Sequence, residues 1–245
     1  MKESETVYIS HGTALGDIWG TLNVYLGYAV ERNEIIRVST WYSKGPGKIR
    51  YPGERMREIY ALLDCPQLLK FVEDEGDTKF HWSEGGASYF YPTFKTWAPN
   101  KSGKVCYQFD GKTHKEKNFP NAEAEEEVLD AIRDQGYTPV KLDKALSLRE
   151  CVEEAATCEF YVGVCSGMSH LCHAVRTPMI LARNKFSIEN FRANRSNEHK
   201  HFINCVGKED VKEHIQLLKE EGMKHYLSIC QHSDKFKEYL DGLWR

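Results

Sequence analysis

The chain reads CEFYVGVCSGMSHLCHAVRTPMILAR from Cys158 to Arg183, and several segments of this run predict regular structure. Phe160 to Val164 and Met179 to Ala182 are short and apolar, which is typical of buried strands. Between them, Ser166-Gly167 predicts a tight turn and residues 169–175 predict a helix. A strand that ends at Ser-Gly and leads into a helix directs backbone N–H groups and a helix N-terminus toward one point. Such an arrangement can bind a phosphate group.

A similar succession of elements begins near the N-terminus. Val7 to Ser10 predicts a strand, residues 11–17 a glycine-containing turn, Ile18 to Arg32 an amphipathic helix, and Ile35 to Thr40 a second strand. A strand, a helix and a second strand in this order indicate a parallel sheet with helices on its faces. The sequence therefore predicts an α/β fold with two parallel sheets.

Length and turn signals predict how these halves are divided. The chain has 245 residues, of which 41% are hydrophobic, enough for one large domain or two small ones. Residues 43–53 are rich in glycine and proline and are predicted to be a loop, and residues 76–100 are aromatic and rich in turn residues. We expect one domain over residues 1–100, a second over 101–208 and a helical tail over 209–245. The segment Ser147-Leu-Arg-Glu150 predicts a capping box at the start of a helix in the second domain.

Composition argues against several classes of protein. The net charge of -3 is unlike that of a globally basic nucleic-acid-binding protein. No apolar run approaches the roughly 20 residues that span a bilayer. The polar start of the chain has no signal-peptide pattern, so we expect a cytoplasmic protein. The eight cysteines form no C-x-x-C pair and no four-ligand spacing, which predicts buried thiols rather than a metal site.

The first candidate site follows the first predicted strand. His11, Thr13 and the turn glycines lie between that strand and the helix, and Asp17 is predicted at the helix N-terminus. A carboxylate there can act as a general base toward an incoming hydroxyl group. It can equally be an N-terminal cap that stabilises its own helix.

The second candidate site is the segment from Gln108 to Pro120, which follows the first strand of the second domain. Its hydroxyl groups, the amide of Gln108 and lysines such as Lys117 could hold a diphosphate, and we expect Asp110 to be a further donor-binding residue. The alternative is an ordinary solvated loop.

The third candidate site is the turn after the strand at residues 160–164. It contains Ser166, Gly167, Met168, Ser169 and His170. These residues either line a ligand pocket or form a sharp turn with capping serines. A serine hydrolase is not indicated, because the segment lacks the first glycine of the G-x-S-x-G pattern.

The fourth candidate is a pair of basic loops, each after a predicted parallel strand. We expect contacts to an acceptor or to phosphate from Lys44, Lys48 and Arg50 in one loop and from Arg183 and Lys185 in the other. If both loops face one cleft, they favour an anionic acceptor. Otherwise the charges are simply solvated.

Four motifs in this order resemble those of the heptosyltransferase-like glycosyltransferases (glycosyltransferase family 9 and the related autotransporter heptosyltransferases). That family has a Gly-x-x-Gly-Asp-type turn, a Lys-x-Trp-Pro-like element, an Asp-Ser/Thr-Gly-Leu-Ser-His-Leu segment and a Thr-Pro dipeptide. The corresponding residues here are Leu15-Gly16-Asp17, Lys117-Asn118-Phe119-Pro120, Ser166-Gly167-Met168-Ser169-His170-Leu171 and Thr177-Pro178. The segment from Ser166 to Leu171 is the most specific of the four.

The resemblance implies a GT-B fold, in which two Rossmann-like domains face a cleft. It implies a nucleotide-sugar donor bound mainly by the second domain, and transfer with inversion at the sugar carbon without a required metal or other cofactor. By the same resemblance, Asp17 would be the general base and Lys117 would contact the donor phosphate. Ser166, Gly167, Ser169 and His170 would line the diphosphate or sugar pocket.

The chain also departs from the family pattern. Cys165 stands where the family usually has aspartate, Phe119 replaces tryptophan, and the chain is short for the family. Two alternatives therefore stay open beside a transferase acting on a glycan. One is a transferase that modifies a hydroxylated base of DNA, for example in a viral setting. The other is a non-catalytic module that binds a nucleotide or a sugar phosphate.

Overall fold

The structure is a computed structural model that describes residues 2–9, 15–43, 50–52, 54–63, 66–72, 78–80, 93–98, 102–110, 122–143, 145–164, 166–182, 200–203, 208–209 and 211–220. These residues form two compact units. The first unit ends at Phe94, and the second begins at Lys95.

The first unit is built on a mostly parallel sheet. Its elements are β1 (Lys2–Ile9), α1 (Leu15–Arg32), β2 (Glu34–Ser43), β3 (Arg50–Pro52), α2 (Glu54–Tyr60), a 3₁₀ turn (Pro66–Leu68), β4 (Leu69–Val72) and β5 (Thr78–Phe80). Strand β1 lies between β2 and β5 and is parallel to both. Strand β4 is parallel to one part of β2, and β3 pairs antiparallel with another.

Helix α1 supplies much of the core of this unit. Its buried residues recur at helical spacing along one face, as the sequence predicts, and include Trp19, Leu22 and Leu26. This face packs toward β2, where Ile36 and Val38 are also buried. Burial of this apolar face therefore fixes the helix against the sheet. The position of its first turn follows from this packing.

The second unit is a fully parallel sheet with helices between its strands. Its elements are β6 (Lys104–Gln108), α3 (Ala122–Asp134), β7 (Thr138–Lys141), α4 (Leu148–Thr157), β8 (Phe160–Gly163), α5 (Gly167–Ala174), β9 (Met179–Ala182) and β10 (Lys200–Ile203), followed by helical residues 211–220. The strand order is β10-β9-β8-β6-β7. The chain passes from β6 outward to β7 and then returns to the other side of β6 as β8. The boundary between β6 and β8 is therefore the topological switch point of the sheet.

The core of the second unit lies on both faces of β8. All four residues of β8 and all four of β9 are buried, as expected for parallel strands covered by helices on both sides. Residues 211–220 contribute Val211, Ile215 and Leu218, one turn apart, to the same core. Among the helices described, none combines the length and the apolar character required to span a bilayer.

Most predicted elements are confirmed, and the differences have a common cause. Strands β8 and β9 and the capping box at Ser147 are found as predicted. Strand β3 lies in a segment that we expected to be a loop, β5 lies in the turn-rich stretch of residues 76–100, and β1 starts at Lys2 rather than at Val7. These stretches are short or polar, so they become strands through pairing with a neighbour rather than through their own pattern.

Four cysteines of the second unit are buried thiols, as predicted. Cys106, Cys151, Cys158 and Cys172 are free and buried. Burial raises the pKa of Cys106 well above its ordinary value and raises the pKa of Cys151 to about 11. The neighbouring thiol of Cys106 is the main cause of the raised pKa of Cys158. Cys106, Cys151 and Cys158 are therefore protonated at neutral pH and poorly nucleophilic.

Candidate functional site

The candidate site lies at the switch point of the second sheet. Gln108 is the last residue of β6, Gly163 is the last residue of β8, and the two are paired in register. The chain leaves β8 through Val164 and enters α5 at Gly167. In open α/β sheets, ligands bind outside the carboxyl ends of the strands at this position.

A buried tyrosine holds the two strand ends together. The Tyr161 hydroxyl lies 3.2 Å from the Val164 carbonyl oxygen and 3.4 Å from that of Gln108, and it donates its proton to these oxygens. The Val164 N–H donates to the same Gln108 oxygen at 3.1 Å. A Cβ atom on Gly163 would lie 2.2 Å from the Gln108 oxygen and 2.6 Å from the Tyr161 hydroxyl. Only glycine therefore allows β8 to approach β6 this closely at the site.

Gln108 and Ser166, both predicted to bind the donor, are brought together directly. The Ser166 Oγ donates to Gln108 Oε1 at 2.6 Å. Gln108 Nε2 donates in turn to the Leu142 carbonyl oxygen at 3.2 Å. This chain of hydrogen bonds joins the start of α5, the end of β6 and the residue that follows β7.

Ser166 and Ser169 form a capping box at the start of α5. The Ser166 Oγ accepts from the Met168 N–H at 3.2 Å and also from the backbone N–H of Ser169. The Ser169 Oγ accepts from the Ser166 N–H at 2.9 Å and donates to the Ser166 carbonyl oxygen at 2.8 Å. In the described residues, then, both serines cap the helix. A direct contact of either serine with a ligand stays a prediction.

The other predicted residues of this turn are more accessible. Gly167, Met168 and His170 are partly exposed in the first turn of α5, while Ser169 is fully buried. The His170 N–H donates to the Ser166 carbonyl oxygen at 3.2 Å, as a helical residue should. The accessible edge of the turn therefore consists of Ser166, which is also partly exposed, together with Gly167, Met168 and His170.

Asp110 is placed beside a lysine that sequence reasoning missed. The Asp110 carboxylate lies 3.7 Å from the Lys141 Nζ, and both side chains are substantially exposed. Glu125, at the start of α3, has a raised pKa, mainly because of burial and then because of the Asp110 charge, while Lys141 acts in the opposite direction. Lys141 is the last residue of β7, and the short segment from Pro139 to Leu142, which is typical of a strand, was a usable signal.

Asp17 lies in the first turn of α1, which begins at Leu15. The helix follows β1, and β1 lies between β2 and β5 at the centre of the first sheet. The backbone of Asp17 is thus placed at the carboxyl edge of its own sheet. Its role as a general base stays a prediction.

Several predicted site residues lie outside the described part of the chain, or have only their backbone described. Of Arg50, only the backbone is described, in β3. The others, with Cys165, lie outside the described residues: His11, Thr13, Lys44, Lys48, Lys117, Arg183 and Lys185. Within the ranges that the structure describes, no group of three or more His, Cys, Asp or Glu side chains could hold a metal ion.

Similarity to known proteins is found in solved structures. No protein-family model matches the sequence, and no curated protein matches it significantly. Among solved structures, the iron-containing dodecameric glycosyltransferase TibC from enterotoxigenic E. coli is 16% identical, with a TM-score of 0.57 over 83% of this chain and 64% of TibC. The chain thus spans less than two thirds of the length of TibC.

Two further structures are similar over nearly their full length. The E. coli ADP-heptose lipopolysaccharide heptosyltransferase II is 13% identical, with a TM-score of 0.53 over 89% of this chain and 100% of its own. A family 9 glycosyltransferase from Veillonella parvula is 11% identical, with a TM-score of 0.52 over 89% of this chain and 98% of its own. The chain therefore has the GT-B-like α/β fold of the heptosyltransferase-like glycosyltransferases, as the motifs predicted.

Proposed function

We propose that the protein is a glycosyltransferase that moves a sugar from a nucleotide-sugar donor to a hydroxyl group of an anionic acceptor, with inversion. The observation that carries this proposal is the switch point of the second sheet, where Gln108 and Ser166 meet at 2.6 Å. This point lies in a fold that the chain shares with sugar transferases.

The first turn of α5 is the proposed site for the donor diphosphate. Aligned peptide dipoles give a helix N-terminus a partial positive charge, which favours an anion. Gly167 has no side chain to keep a phosphate away from the backbone, and His170 is partly exposed in the same turn. Lys117, which the family resemblance assigns to the phosphate, would add a full positive charge.

The reaction that these groups support is a direct displacement. The Asp17 carboxylate takes the proton of the acceptor hydroxyl, and the oxygen forms a bond to the anomeric carbon of the sugar. The bond from that carbon to the diphosphate oxygen breaks, and the electron pair leaves with the nucleoside diphosphate. Positive groups near the departing diphosphate stabilise the developing charge. Attack opposite the leaving group inverts the anomeric carbon.

The choice of donors and acceptors to test follows from the similar structures and from the charge of the two basic loops. A structure of TibC contains ADP-D-β-D-heptose, so adenosine diphosphate sugars are the first donors to test here. The basic residues of the two loops are the reason for proposing an anionic acceptor, either a glycan or hydroxylated DNA. DNA binding through phosphate contacts would weaken steeply with added salt.

The donor is tested by thermal shift with ADP-, UDP-, GDP- and CMP-linked sugars. A ligand that binds only the folded state stabilises it by about 2.7 kcal/mol at a hundredfold excess over its dissociation constant. We expect one nucleotide to give a clear shift, and Lys117→Ala to abolish it. Lys2→Ala is the matched control, because Lys2 is exposed at the start of β1. No shift with any donor would overturn the proposed function.

The general base is tested separately with Asp17→Asn. This variant should keep donor binding but lose transfer, measured as nucleoside diphosphate released in the presence of acceptor. Full transfer by Asp17→Asn would remove Asp17 from the mechanism. Donor binding by the wild type without transfer to glycan or to hydroxylated DNA would instead indicate a non-catalytic binding module.

A further inference from the structure

We propose that Gln108 and Ser166 form a positioning pair, which aligns the first turn of α5 with the end of β6 and does not contact the donor. The inference rests on the proposed function for the identity of the ligand. It changes the role expected for both side chains, from binding the diphosphate to holding the backbone that binds it.

The hydrogen-bonding capacity of Ser166 is fully used within the protein. A serine hydroxyl has one proton to donate and two lone pairs to accept with. Its proton goes to Gln108 Oε1 at 2.6 Å. It accepts from the backbone N–H groups of Met168 and Ser169. A phosphate oxygen could receive the Ser166 proton only by displacing Gln108.

Gln108 is suited to this role because its amide both accepts and donates. Its Oε1 accepts from Ser166 and its Nε2 donates to the Leu142 carbonyl oxygen at 3.2 Å. Its backbone carbonyl oxygen accepts from the Val164 N–H at 3.1 Å. The residue is thus fixed to β7 on one side and to the β8–α5 connection on the other. Neither a carboxylate nor an apolar side chain could make both side-chain bonds.

Loss of either partner should break the same link, and loss of the Ser166 hydroxyl also removes its cap bonds to Met168 and Ser169. Removing Gln108 leaves the Ser166 hydroxyl without this acceptor, and removing the Ser166 hydroxyl leaves the amide oxygen without this donor. In both cases the first turn of α5 loses the same link to β6. Two side chains that act through one link give non-additive effects on binding, whereas two independent ligand contacts give additive effects.

The test is a double-mutant cycle on nucleoside diphosphate binding by the full chain. Dissociation constants for ADP, GDP and UDP are measured by calorimetry for wild type, Gln108→Met, Ser166→Ala and the double variant. We expect Gln108→Met to bind about tenfold more weakly, which corresponds to about 1.4 kcal/mol. Ser166→Ala should lose at least as much, because it also loses its cap bonds to Met168 and Ser169, and the double variant should bind no more weakly than Ser166→Ala. A further loss of about tenfold from Ser166→Ala to the double variant would be additive and would overturn the proposal.

A serine at the opposite edge of the sheet supplies the control. The Ser102 Oγ accepts from the Lys104 N–H at the amino end of β6. Ser102→Ala should not change affinity in wild type or in Gln108→Met. Ser166→Thr keeps the hydroxyl and should restore binding, which a purely apolar packing role for Ser166 would not predict.

Amide hydrogen exchange tests the pair without any ligand. We expect the Met168 and Ser169 amides to exchange faster in both single variants than in wild type, and Ser166→Thr to restore protection. If the wild type bound none of the three nucleotides, the proposed function would fail, while exchange would still decide on the pair. Unchanged exchange of both amides in Gln108→Met would overturn the positioning role.

Discussion

Gly163→Ala should destabilise the protein more than Gly103→Ala or Gly136→Ala, where a Cβ atom would meet nothing within 4 Å. The added Cβ would lie 2.2 Å from the backbone oxygen of Gln108 and within 2.8 Å of the Tyr161 ring. Because the nearest obstacle is backbone, no rotation of a side chain can relieve the clash. Overpacking of a closed core costs about 1–3 kcal/mol. Moving the Gln108 oxygen also weakens its hydrogen bonds, at about 1 kcal/mol each.

Together these terms give a loss of about 3 kcal/mol, or roughly a 10 °C lower midpoint for a chain of this length. The assay is urea and thermal unfolding followed by circular dichroism, with Gly136→Ala as the control. Gly136 has a φ of +83° and open space around its Cβ position. Alanine there incurs only the left-handed backbone cost of about 1 kcal/mol. A Gly163→Ala variant no less stable than Gly136→Ala would refute the argument from close approach.

Three further predictions concern the second unit. Cys106 and Cys158 should resist iodoacetamide in the folded protein and react after unfolding, as mapped by mass spectrometry, because their thiols are buried and have raised pKa values. Trp97→Phe should cost about 1–3 kcal/mol in urea unfolding, since the indole Nε1 donates to the Cys158 carbonyl oxygen at 2.9 Å in a buried position. Ser147→Ala should cost about 1 kcal/mol through loss of the α4 capping box. The Glu150 pKa is lowered by its bonds to Ser147, so the part of the capping box that the Glu150 carboxylate makes is present above pH about 4.5 and is lost as the pH falls through the lower pKa of the folded state. Equal stability of Ser147→Ala and wild type at neutral pH would contradict it.

The sequence predicts β8 and β9 of the second unit well because these two strands are apolar and buried on both faces. The segments Phe160–Gly163 and Met179–Ala182 contain no charged or amide side chain that would favour a loop instead of a strand. The first unit is harder. Strand β5 is only Thr78–Phe80, and it is defined by parallel pairing with Val7 to Ile9 rather than by its own composition. A partner distant in sequence is not visible in a local pattern.

The sequence predicted which residues lie at the candidate site better than it predicted what each of them does. The sequence indicated Gln108 and Ser166 as site candidates for separate reasons, because one follows a strand and the other lies in a turn. It did not predict the hydrogen bond between them. The contact between Asp110 and Lys141 was not predicted, because contacts between side chains of neighbouring strands depend on the register in which those strands pair. Register is fixed by the core, and a single sequence does not specify it directly.

The geometry of the site is a consequence of core packing. Strand β8 is buried on both faces, so a tyrosine hydroxyl within it must find partners inside the sheet. Its partners are the carbonyl oxygens of Gln108, at the end of β6, and of Val164, just after β8. This close approach of the two strand ends requires a glycine at position 163. The same contact fixes the backbone of Gln108, whose side chain then holds Ser166. A change at Gly163 should therefore displace Gln108 and, through its bond to Ser166, the first turn of α5. We expect Gly163→Ala to weaken nucleotide binding as well as to lower stability. Affinity unchanged in a variant that remains folded would show that the first turn of α5 is positioned independently of the strand ends.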